Sequence, residues 1–242
     1  MINALPPAKR QDLLSIVTTE HFTLQGARAT AISDANGRTG FFLATLSAVV
    51  VALAFVAQLA GGLGDAFLLF AAILLPMLLF IGLATFERLL QLAIENIRCV
   101  VAINRLRHYY LEIAPELAPH ITLSPHDDMA GVLASLGSVR TRMRPWDVVI
   151  SNAGLIGVID AMLAGIVTGL AAWVATRAML ASGIAAAVVG VVLLAVLLRY
   201  SRSSLKAAQV MVGVRFASGS GIDTTHATLA DEHLEPDVTA EA

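Results

Sequence analysis

Charge, aromatic rings and cysteine are all scarce in this chain. Only 14% of its 242 residues are charged and 6% aromatic, where a soluble domain carries about 25% charge. With 57% hydrophobic residues and a mean hydropathy of +0.77, that deficit excludes an ordinary cytosolic globule and predicts an integral membrane protein. A single cysteine, Cys99, excludes an internal disulfide framework. Sixteen Lys and Arg against eighteen Asp and Glu leave a net charge of -2, so the basic footprint of a nucleic-acid binder is missing. Catalytic signatures are missing too: no Walker loop, no Gly-rich dinucleotide turn, no HExxH, no nucleophile elbow and no metal-ligand spacing around Cys99. The sequence therefore reads as non-enzymatic and implies no cofactor and no metal centre.

What is present is long apolar runs. A membrane-spanning helix needs about 20 such residues, because hydrocarbon about 30 Å thick is crossed at about 1.5 Å per residue. Four segments qualify: Phe41 to Ala60, Ala66 to Phe86, Val148 to Val174, and Met179 to Leu198. Only five residues separate the first pair and only four the second, which predicts two tight helical hairpins, 41–86 and 148–198. The first 40 residues hold no apolar stretch, so no cleavable signal is expected there. Fifteen of the sixteen Lys and Arg fall before span one, between spans two and three, or after span four; only Arg177 falls in a hairpin turn. The positive-inside rule then puts both termini and the central region in the cytoplasm of a multi-pass plasma-membrane protein. Trp146 and Trp173 bracket the third span 27 residues apart, about 40 Å of helix and close to the spacing of the two interfacial belts.

The flanking segments read as helices. Residues 1–40 are an N-terminal helical segment, with Asp34 and Arg38 spaced to pair across one turn. In region 87–147, Glu87 to Ala114 contains no Pro or Gly, so span two is expected to continue as one helix from about Ala66 to Ala114. Its polar residues Arg88, Gln91, Glu95, Arg98 and Arg105 share a face, while Leu90, Ile94, Ile97, Val101 and Leu106 form another. Pro115 and Pro119 end it. A short helix follows, with Ser124 as expected cap, Pro125 at its first position and Gly137 as stop. Residues 199–216 form a juxtamembrane helix, and 217–242, with six acids and no Lys or Arg, a disordered tail. A parallel duplication of helix, span, turn, span, helix is one reading of the two halves.

Asp160 is the most informative position. It lies midway between the two tryptophans, near the bilayer centre, where an ionisable side chain costs from a few kcal/mol upward. It is either a cation or proton site, or a protonated group bonding a neighbouring helix. Around it runs a small-residue ladder, Gly157, Ala161, Gly165 and Gly169, matched on span four by Ser182, Ala186 and Gly190. Such stripes let helices approach closely, within one chain or between subunits. Pro76 interrupts span two and is a hinge or a static kink. Arg88, Glu95, Arg98 and Arg105 form a charged neck face or contact anionic headgroups. His120 and His126 beside Asp127 and Asp128 suggest a metal site, but the simpler reading is two acids complementing a helix N-terminus near exposed histidines.

Residues 18 to 114, laid out as a helix, a tight two-span hairpin and a long cytoplasmic helix, resemble the bacterial SLATT-type membrane effectors. That resemblance implies a pore; bestrophin channels are similar in topology alone. The expectation is a homo-oligomeric, channel-like protein of a bacterial plasma membrane, its ion path lined by Asp160 and gated by the cytoplasmic helices. The alternative is a non-catalytic scaffold or regulatory subunit that binds a cytoplasmic protein partner.

Overall fold

The computed structural model describes residues 6–59, 62, 64–138 and 145–219. The stretch 139–144 and the acidic tail from residue 220 onward lie outside the described residues. Every regular element among those described is helical: α1 Pro7–Leu59, α2 Asp65–Ile113, a 3₁₀ turn Pro115–His120, α3 Met129–Ser135, α4 Pro145–Val149, α5 Asn152–Thr176 and α6 Met179–Val212. Four of these, α1, α2, α5 and α6, are long and apolar enough to cross a membrane. Contacts divide the chain into two compact units. One comprises Met1–Gln25, Cys99–Arg142 and Gly213–Ala242, and the other comprises Gly26–Arg98 and Met143–Val212.

Helix α1 joins the expected N-terminal helix and the first span into 53 continuous residues. Its exposed or half-buried hydroxyls are consumed locally: Thr23, Thr30, Thr39, Thr45 and Ser47 each donate to the carbonyl four residues back. A hydroxyl satisfied by its own helix asks for no water, so Thr45 and Ser47 remain compatible with lipid inside the apolar run. Helix α2 begins at Asp65, whose charge complements the helix dipole. It runs through Pro76 without a break and ends at Ile113, where Pro115 disfavours the helical conformation of Ala114.

Two expectations are corrected. The cap of α3 is Asp128, whose carboxylate accepts the Gly131 N–H at 2.8 Å, so the helix starts at Met129. Ser124 accepts the N–H of His126 and shapes the turn that precedes it. The third span starts later than its apolar run. Ser151 Oγ accepts the Gly154 N–H at 3.1 Å and donates to Val148 O at 2.7 Å, which closes α4 and opens α5 at Asn152. A Cβ at residue 154 would overlap the carbonyls of Val148 and Val149, so only glycine admits this break. Trp146 therefore stands on α4 and not on the helix of Trp173.

The second unit holds the main apolar core. Phe42 of α1, Leu75, Leu78, Phe86 and Leu89 of α2, Ile156 and Leu163 of α5 and Leu197 of α6 pack together there. Helices α5 and α6 join through Arg177 in the left-handed region at φ 53°, its N–H bonded to Trp173 O and its guanidinium 5.1 Å from the Trp173 ring centre.

Candidate functional site: a buried carboxylate and a small-residue seam

The small residues of α5 and α6 meet each other. A Cβ on Gly165 would sit 2.8 Å from Ala186 O, one on Gly169 would sit 2.9 Å from the Ala186 Cβ and 3.4 Å from Ser182 O, and one on Gly190 would sit 3.1 Å from Ala161 O. Backbone thus lies against backbone along Ala161, Gly165, Gly169, Ser182, Ala186 and Gly190. Such close approach gathers many dispersion contacts where hydrocarbon solvent gives apolar side chains no other reason to associate. Gly157 faces elsewhere, onto the Phe86 ring of α2.

Asp160 shares that second direction. Its side chain is fully buried and packs onto Gly82 of α2, one turn from the Phe86 and Gly157 contact. A glycine on α2 receives the carboxylate of α5, and a glycine on α5 receives the ring from α2. Neither carboxylate oxygen has a hydrogen-bond partner among the described residues. In a bundle interior each unpaired oxygen of this kind costs several kcal/mol, so such groups mark function more often than packing. Sequence reasoning passed over Gly82, although it is the only glycine in the 49 residues of α2. An isolated glycine inside a long helical pattern signals close approach by another group.

Pro76 is exposed on a continuous α2. The expected neck residues do not act alike. Arg88 lies 3.6 Å from Asp34 and 3.4 Å from Gln91 Oε1, Glu95 is exposed, and Arg98 is exposed with Met211 Sδ 3.9 Å away. Arg105 is spent inside the first unit, its Nε donating to Asp127 at 2.7 Å and its Nη2 to Gly213 O at 2.5 Å.

That bond belongs to a network which the sequence did not foretell. Asp127 is buried, and accepts from the N–H of Arg215 and Phe216, while its own N–H donates to Phe216 O. Asp128 accepts from the Ser218 N–H and hydroxyl. The His108 ring stacks on Phe216 at 3.8 Å. Two adjacent aspartates thereby strap residues 213–218 onto this unit, and Asp128 does so while also serving the helix N-terminus as expected. Burial alone would raise both carboxyls, but hydrogen bonds outweigh it, from Arg105, Phe216 and Arg215 at Asp127 and from Ser218 and Gly131 at Asp128. Both end below the ordinary carboxylate value. Beneath them, fully buried Asn104 donates to His126 O and accepts from Arg107 and Ser135. His120 is exposed and His126 half-buried, and no group of three or more metal-ligating side chains occurs among the described residues.

No family model, no curated protein and no solved structure matches the chain.

Proposed function

We propose that the chain is a homo-oligomeric, channel-like integral membrane protein in which Asp160 is the ion- or proton-responsive group. The observation that carries this reading is the Asp160 carboxylate, fully buried against Gly82 with neither oxygen hydrogen-bonded. A cation or a proton relieves that cost, so the charge state of residue 160 bears directly on how α2 and α5 pack. Helix α2 continues well past the length a bilayer needs, and its later part, with the first unit, is the gating element. The five- and four-residue turns support two hairpins, and the Lys and Arg distribution supports cytoplasmic termini, in what we take to be the plasma membrane. The layout resemblance to SLATT-type effectors points the same way.

The first test is the native mass of the detergent-solubilised protein, followed by ion flux in proteoliposomes for wild type and Asp160→Asn. A discrete oligomer of three or more copies, with flux altered by about tenfold or more in the variant, is the expected result. A clean monomer overturns the symmetric pore. The second reading is a scaffold that binds a cytoplasmic partner. It is favoured by the strap at Asp127 and Asp128, which fixes the point where the acidic tail departs. On that reading Asp160→Asn changes assembly or stability and no flux.

A further inference from the structure

Where the span of α1 begins and that of α2 ends, the two helices leave an open groove of about 930 Å³. Its walls change character along its length. Thr30, Ser33, Asp34 and Arg38 line one end, with Thr85 from α2, and Phe41, Phe80, Ile81 and Ala84 line the other. Phe41 and Phe80 are 71% and 73% exposed, aromatic rings on two different helices at the level where the chain enters hydrocarbon. At the polar end Arg38 Nε lies 3.0 Å from Asp34, and Arg88, which stands beside the lining, reaches the other oxygen of the same carboxylate at 3.6 Å. Two guanidiniums thus meet one carboxylate at this end, both side chains more than two-fifths exposed, while Glu87 is engaged by Gln91. Between the two ends the wall is Gly37, and a Cβ placed there meets nothing within 4 Å.

We propose that this groove binds one glycerophospholipid with an anionic headgroup, taken from the bilayer. The phosphate is held by Arg38, Arg88 and the Ser33 hydroxyl, and the first part of an acyl chain lies over Ile81 and Ala84 between Phe41 and Phe80. Three properties select this occupant. The groove lies between α1 and α2 where their apolar spans give way to polar residues, its exposed guanidiniums complement a phosphate, and its polarity falls in the direction that a lipid's own polarity falls. A soluble anion uses only the charged end, and a second protein helix leaves the two guanidiniums without a counter-charge. The inference requires only that α1 and α2 cross a membrane, and stands apart from any ion path.

The test reconstitutes the protein in nanodiscs of equal phosphatidylglycerol and phosphatidylcholine, and counts by native mass spectrometry the lipids that stay bound. Wild type should retain phosphatidylglycerol over phosphatidylcholine by about fivefold or more, the scale set by one surface guanidinium. Arg38→Gln with Arg88→Gln should bring that preference to about onefold, and Gly37→Leu, whose Cβ enters open space and whose branch extends into the groove, should lower retention of both lipids. Arg202→Gln, outside the groove, should change nothing. Equal retention of the two lipids by wild type overturns the proposal. So does a loss in Arg202→Gln equal to that in the groove variants, which indicates diffuse surface charge. If Gly37→Leu leaves lipid retention intact but breaks an oligomer, the groove holds a second copy of the chain and the proposal falls.

Discussion

Gly82 of α2 lies directly beneath the Asp160 carboxylate of α5, so close that a Cβ at residue 82 would overlap Asp160 Oδ1. This relationship sets the separation of the two helices where the only ionisable side chain of α5 is buried. It predicts a size-dependent coupling. Gly82→Ala should lower the thermal midpoint in detergent by the equivalent of about 1–3 kcal/mol, the usual cost of overpacking. Asp160→Ala in the same chain should restore much of it, because the smaller side chain vacates the space that the new methyl needs. If the double variant is as unstable as the sum of its parts, the two residues are uncoupled and the contact is not the cause.

The sequence showed the helices far better than their partners. Helix α2 was legible almost to the residue, since no Pro or Gly interrupts Glu87 to Ala114 and Pro115 stops it. The start of α5 was not, because Val148 to Ile150 is as apolar as the span itself and the break depends on one Ser151 hydroxyl bonding in both directions. Asp160 stood out as the one ionisable residue of the third apolar run, although the tryptophan pair used to place it does not share a helix. What it touches was hidden, since helical periodicity assigns a face but not which neighbour covers it. Asn104 shows the same limit. A polar residue on a long amphipathic helix reads as solvated, yet Asn104 is fully buried and its partners His126 and Ser135 lie 22 and 31 residues away. Between His21 and Arg38, α1 makes polar contacts that the sequence did not assign: Arg28 with Asn96 and Asn36 with Asn152.

The glycines of the seam should respond to substitution according to what faces them. Gly165→Ala and Gly169→Ala each push a methyl into Ala186, and should lower the thermal midpoint in detergent. Gly183→Ala enters open space on α6 and should be neutral or raise it, by up to about 1 kcal/mol from helix propensity. Circular dichroism melts of the three variants check this order. Equal loss in all three would mean that glycine flexibility, and not close approach, is what the seam requires.

The strap should come loose when its acceptor is removed. Asp127→Ala deprives the N–H groups of Arg215 and Phe216 of their acceptor, and leaves Arg105 without its carboxylate. Hydrogen bonds to a charged acceptor contribute about 1.5–3 kcal/mol each, so tryptic cleavage after Arg215 under native conditions should accelerate by about tenfold or more. Asp127→Asn retains one acceptor oxygen and should fall between. Cleavage at the wild-type rate in Asp127→Ala would show that residues 213–218 are held by something other than this carboxylate.

The first unit should lose stability towards acid in two steps of the same sign. His21 is held below its ordinary 6.5, first by burial and then by the nearby charge of Arg107. The folded unit therefore resists protonation of this ring while the unfolded chain accepts it, so stability falls as pH drops below about 6.5. Asp127 and Asp128 are held below 3.8 by their hydrogen bonds, against the upward push of burial. Their contribution is present above the unfolded value, shrinks as pH falls from about 5, and is gone below the folded values. Tyr110, raised above 10.0 by burial, acts at the opposite end and withdraws stability as pH climbs past that value. Hydrogen exchange of peptides from α3 and the end of α2, corrected for the intrinsic pH dependence of exchange, resolves the steps. His21→Gln should abolish the upper acid step and leave the lower one. Asp127→Asn should diminish the lower step and leave the upper. A wild-type unit whose protection stays flat from pH 7 to 4 would contradict the assignment to His21.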